Sequence, residues 1–228
     1  MKRVSAIAER PIDPSLFAVV VIGEPEENQR HIGILHRTEK SEPTLLHLAW
    51  HCQLHDDEEL PDYMTLWAAP NIKPKRLRSF AALCRRVWRK NAKGGVPYAF
   101  SSPGNAFDPT TGAFLVGPTC YGLTCATFVL ALFHTAGLRL ANYHTWTQDR
   151  QGDREWQESI VKSLEGRTTD EHIQHIRAET GAARFRPEEV AASVALMPPA
   201  VNFNSASALG QKIVEKLHEC SDGDAPPP

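Results

Sequence analysis

The sequence predicts an α+β fold: an antiparallel sheet packed against a buried helix, followed by a helical C-terminal extension. Short β-branched or alternating runs recur at hairpin spacing between residues 17 and 50. A later segment, residues 125–136 (CATFVLALFHTA), is apolar nearly all round and therefore belongs inside the protein. From about Asp149 onward the pattern turns helical and polar.

The first strand is expected at residues 17–23 (FAVVVIG), a β-branched run closed by Gly23. A polar turn over residues 24–30 leads to a second strand at 31–36 (HIGILH), and residues 37–43 make another turn. Residues 44–50 (TLLHLAW) alternate, with Leu46, Leu48 and Trp50 on one face and Leu45, His47 and Ala49 on the other. Three such strands imply an antiparallel meander. The period then changes: Leu77, Phe80, Ala81, Cys84, Val87 and Trp88 recur at helical spacing across residues 75–90, and Gly94-Gly95 closes the segment. Residues 97–117 are rich in turn formers, and Gly137 stops the apolar helix. Pro187-Glu188-Glu189 has the proline and acids of a helix start. The expected organisation is an N-terminal segment (1–14), a sheet-and-helix domain (15–140), the helical extension (141–219) and a disordered tail (220–228).

A chain of 228 residues can bury one good-sized core. Its net charge of −2 supplies no global attraction to nucleic acid or anionic membrane. No run approaches the roughly 20 apolar residues that span a bilayer. Five cysteines, with no signal-like apolar run at the N-terminus, point to reduced thiols and a cytoplasmic protein, compatible also with signal-less export. The segment at 75–90 is strongly basic, and no acid occurs between Asp62 and Asp108. That is a solvated helix face or a rim for an anionic partner.

The chemistry is expected at Cys125. Thr124 suits an N-cap, which puts Cys125 in the first helical turn. Free backbone N–H groups and the helix dipole there favour a thiolate and an oxyanion. A cysteine nucleophile needs a base, and the base needs an orienting group. His31 opens one strand and His47 lies in the next, so a hairpin would put both imidazoles on one face. Cys120 is a weaker choice of nucleophile, in a loop without helix support. His47, His51 and His55, with Cys52 and Asp56, would suit a metal only on a helix; strand geometry puts His55 far from His47, so no metal and no cofactor are expected. Residues 56–59 (DDEE) read as a solvated acidic turn. Trp146, Asp149, Arg150, Asp153, Arg154 and Trp156 form a cluster that either packs the C-terminal helices or serves as a lid or partner site.

Three segments carry a family resemblance: residues 30–35 (RHIGIL), 45–49 (LLHLA) and 123–129 (LTCATFV). Together they resemble the circularly permuted NlpC-like and papain-like superfamily, which includes the lecithin retinol acyltransferase family and bacterial permuted cysteine peptidases or amidases. In that group the histidine strand precedes the cysteine helix. Tyr98, within residues 96–100 (VPYAF), resembles the tyrosine-bearing segment between the two motifs in bacterial members. The resemblance covers roughly residues 15 to 137. It implies Cys125 as nucleophile, His31 as general base and later acid, His47 holding the His31 ring, and Tyr121 or the Cys125 N–H at the oxyanion. It also implies a thiol hydrolase, a peptidase or amidase, that cleaves an amide or ester bond of a peptide, amide or lipid-like acyl substrate. Thr124 stands where the acyltransferases usually have Asn, and no C-terminal anchor follows; both features point to the hydrolase-like branch. The alternatives are a lipid acyltransferase or phospholipase on the same fold, and a binding protein that has lost turnover.

Overall fold

The computed structural model describes residues 4–6, 12–13, 16–39, 41–101, 104–117 and 120–222. The expected meander is present as β2 (Ala18–Glu26), β3 (Gln29–His36) and β4 (Thr44–Trp50). Three further strands widen it: β1 (Val4–Ala6), β5 (Gln53–Asp57) and β6 (Leu66–Ala68). All pairs are antiparallel, in the order β1-β6-β2-β3-β4-β5. The additional strands were not legible because β1 and β6 are three residues each and β5 (QLHDD) does not alternate.

The alternation of β3 and β4 sorts the two faces. Ile32, Ile34, Leu46 and Leu48 join the main core, whereas Leu45 joins a smaller cluster with Val19, Val21, Met64 and Trp67 on the other face. Against the first face packs α2 (Cys125–Thr135), whose residues from Cys125 to Phe133 are all buried. The amphipathic α1 (Pro74–Asn91) adds Leu77, Phe80, Cys84 and Val87 to the same core. Several arginines on its basic face already have partners. Arg78 pairs with Glu39, while Arg76, Arg85 and Arg86 donate to the carbonyls of Gly137, Arg37 and Pro109.

Beyond residue 141 the chain is helical, as expected: α3 (Asp153–Leu164), α4 (Asp170–Ala178), α5 (Pro187–Leu196) and α6 (Phe203–Asp222). These helices do not form a separate core, since Val161, Ile176, Val190 and Leu217 belong to the cluster that covers the sheet. Helix α6 continues to Asp222, so the tail expected from residue 220 begins in a helix; residues 223–228 lie outside the described residues, as does most of the segment 1–14. Among the described residues no helix is long and apolar enough to cross a membrane.

Candidate active site

The N-terminus of α2 is built by a reciprocal cap. Thr124 Oγ1 accepts from the Thr127 N–H at 3.1 Å, and Thr127 Oγ1 accepts from the Thr124 N–H at 2.8 Å. Two otherwise unsatisfied donors are thereby paired, and Cys125 is fixed as the first helical residue. Thr124→Ala is expected to lower stability by about 1 kcal/mol. That shows as a lower denaturant midpoint at unchanged slope; a midpoint equal to wild type would show the cap carries no stability.

Gly122 lets the chain reach this cap, because a Cβ there would lie 2.4 Å from the Pro97 carbonyl oxygen. Pro97 accepts from the Leu123 N–H in return, at 2.9 Å, which brings Tyr98 alongside Cys125. A small cavity of about 170 Å³ opens at this point, lined by Cys125, His31, Tyr98, Trp50, Trp156 and Arg184 among others.

Alternation places His31 and His47 with Gly33 and Leu45, on the face turned away from α2. Contact with Cys125 across a continuous sheet would be impossible. The paired register of β3 and β4, however, ends at Ile34↔Leu46, so the stretch of β3 carrying His31 and Ile32 has lost its β4 partner. The Cys125 sulfur sits at that open strand edge, against the backbone N–H of Ile32.

The two imidazoles belong to a hydrogen-bonded line. His31 Nε2 and His47 Nδ1 are 2.8 Å apart, and His47 Nε2 lies 2.9 Å from Asp57 Oδ2. Asp57 is acceptor-only when ionised, so His47 carries its proton on Nε2 and accepts on Nδ1. His31 must then donate from Nε2, which leaves its Nδ1 as the free base. Gly33 makes the close packing of this line possible, since a Cβ there would lie 2.9 Å from His47 Cβ.

His31 and His47 are thus in contact, as the sequence leads one to expect, whereas Asp57, which reads as part of a solvated turn, is hydrogen-bonded to His47. The same unread hairpin corrects the placement of His55: it is the cross-strand partner of His47, with rings 5.6 Å apart, not remote from it. His51 turns elsewhere and accepts from the Tyr98 N–H at 3.2 Å. Among the described residues no group of three or more His, Cys, Asp or Glu side chains could hold a metal.

The electrostatics differ from the expectation at Cys125. Burial pushes its thiol up to about 11, and the N–H groups of Ile32, Ala126 and Cys125 itself offset only part of that. Burial, with the neighbouring His47, lowers His31 to about 3. The helix terminus does favour the thiolate, but desolvation outweighs it. At neutral pH the resting site holds a neutral thiol and a neutral imidazole, and no hydrogen bond joins the sulfur to either ring.

The tyrosines divide. Tyr98 is buried in the cavity wall with its ring centroid 4.8 Å from that of Trp50. Tyr121 does not line the cavity; its ring stacks on His175 of α4 at 3.7 Å and its N–H donates to Ser101. Cys120 is buried beside Ser101 and Gly122, where burial raises its thiol to about 11. The aromatic and charged cluster after α2 packs helices together: Arg150 binds Asp153 and Glu189, and the Trp146 indole donates to Glu189. Trp156 also reaches the cavity, together with Arg184 and Phe185, and nothing in the sequence had tied those two to the site.

No family model, curated protein or solved structure matches the chain.

Proposed function

We propose that this chain is a cysteine-dependent hydrolase of amide bonds, a peptidase or amidase similar to the permuted NlpC-like and papain-like group. The observation that carries the reading is the line Asp57–His47–His31 ending at the cavity that holds Cys125. In this reading Cys125, His31, His47 and Asp57 serve as nucleophile, base, orienting imidazole and carboxylate, the set that acyl transfer requires.

In this reading Sγ of Cys125 attacks the carbonyl carbon as His31 Nδ1 takes the thiol proton. The new oxyanion is received by backbone N–H groups around the sulfur. The C–N bond then breaks, and the amine leaves with the proton held by His31. Water, deprotonated by His31, attacks the thioester, and the proton returns to sulfur as the acid departs. A base is needed because the thiol is not ionised at rest.

The cavity volume argues against a lipid acyl chain in this pocket, since about 170 Å³ is well below the roughly 300–1,000 Å³ usual for drug-sized ligands. The raised thiol pKa and the missing sulfur–imidazole bond favour a second reading, a binding protein without turnover. Peptidyl acyloxymethyl ketone probes separate the two. The hydrolase forms one adduct, on Cys125, and His31→Ala abolishes it. A probe that labels Cys125 no faster than the exposed Cys52 would overturn the hydrolase reading.

A further inference from the structure

The cavity at Cys125 has two arginines in its wall and no carboxylate. Arg30 is neutralised there by Glu188 at 2.9 Å and Glu24 at 3.4 Å. Arg184 is not matched in the same way. The one hydrogen-bonding contact of its guanidinium among the described residues is to Asp153 at 3.4 Å, and Asp153 is held more closely by Arg186 at 2.8 Å and Arg150 at 2.9 Å. The guanidinium instead lies over the Trp156 ring, 3.8 Å from its centroid. Its backbone is pinned: the carbonyl accepts from Arg150, and the preceding loop is held by Gln157 through Gly181 N–H at 2.7 Å and Ala182 O at 3.0 Å.

From this wall we infer that Arg184 is the specificity residue of the site and binds a carboxylate on the acyl side of the scissile bond. The inference rests on the hydrolase reading and narrows it to acyl groups that carry a negative charge close to the carbonyl. A guanidinium seated over an indole, with its carbon 3.8 Å from the ring centroid, has its N–H fork to offer a bidentate carboxylate. The cavity is sized for one such short acyl group between Trp50, Tyr98 and Trp156. Burial pulls the Arg184 pKa down, which marks a charge short of solvation. An entering carboxylate relieves that cost.

The test compares iodoacetate with iodoacetamide on the full chain, with peptide mass spectrometry reporting each cysteine. In both reactions sulfur displaces iodide and the thiol proton goes to solvent; only the charge beside the new S–C bond differs. The iodoacetate-to-iodoacetamide rate ratio at Cys125 is expected about ten-fold above that at Cys52, the factor of one charge-assisted hydrogen bond. Arg184→Gln returns the ratio to the Cys52 value, and Arg184→Lys restores part of it. Equal ratios at the two cysteines in the wild type overturn the inference, as does an Arg184→Gln protein that keeps the preference. Should Arg184→Gln fail to fold, the wild-type ratio alone decides. Failure of the hydrolase reading looks different: the acyl probe leaves Cys125 unlabelled while either iodo reagent modifies it.

Discussion

Cys125→Ala is expected to lower kcat by roughly 10⁵–10⁶-fold, and His31→Ala nearly as far. The double variant falls no further than the worse single one. With the thiol at about 11 and His31 at about 3, neither group is charged at neutral pH. In the proposed mechanism sulfur becomes a nucleophile only as its proton moves to His31, so removing either member removes the same step. The alanine exchange deletes one sulfur from a residue that is 9 % exposed, and the Thr124–Thr127 cap that starts the helix is untouched. Thermal unfolding therefore shifts by only a few degrees, about what losing one buried sulfur costs, while activity is lost. Steady-state kinetics of the four proteins on an amide found by probe labelling measure the cycle. Losses that multiply in the double variant would show two groups acting independently and would dismantle the proposed pair.

What the sequence made legible here was whatever periodicity and capping express. Alternation in residues 44–50 puts Leu46 and Leu48 on one face and Leu45 and His47 on the other; in the structure Leu46 and Leu48 lie in the main core and Leu45 in the smaller cluster. An all-apolar segment with threonine before it gave the capped, buried α2. Asp57 was not legible because it lies in an acidic run on a polar strand, with no apolar alternation to reveal pairing. The β4–β5 hairpin that brings it to His47 turns at Cys52, a residue at φ 57 and not one of the usual turn formers. A different gap concerns the thiol. A helix terminus supplies positive potential that the local sequence reveals, whereas the depth of Cys125 arises only when the sheet, α2 and the later helices are assembled around it. The cavity wall is a similar case: Trp156 and Arg184 stand 31 and 59 residues after Cys125 (156 − 125 and 184 − 125) and meet it solely through tertiary packing.

Asp57→Asn is expected to lower kcat by roughly 10²–10³-fold with KM little changed. The asparagine amide can donate where the carboxylate could only accept. A donated N–H at His47 Nε2 forces the His47 proton to Nδ1, which lies 2.8 Å from His31 Nε2. His31 Nε2 must then accept, and its own proton moves to Nδ1, the nitrogen needed as base toward Cys125. Asp57 is thus a positioning residue, one ring further from sulfur than a carboxylate that holds the base itself, and 43 % exposed. Both features make the loss smaller than the roughly 10⁴-fold known for a directly bonded carboxylate. The pH profile distinguishes this from a structural defect. Burial lowers the His47 pKa, and the hydrogen bond and charge of Asp57 raise it part of the way back. In the wild type His47 stays neutral at pH 7, and activity falls on the acid side as it gains a proton and can no longer accept from His31. The residual activity of Asp57→Asn comes from the minor tautomer in which His47 still accepts from His31; with the raising contribution of Asp57 gone, that acid limb moves to lower pH while the plateau drops. A local packing defect would lower the plateau and leave the limb in place; that result would take Asp57 out of the relay and leave His47 to orient His31 alone.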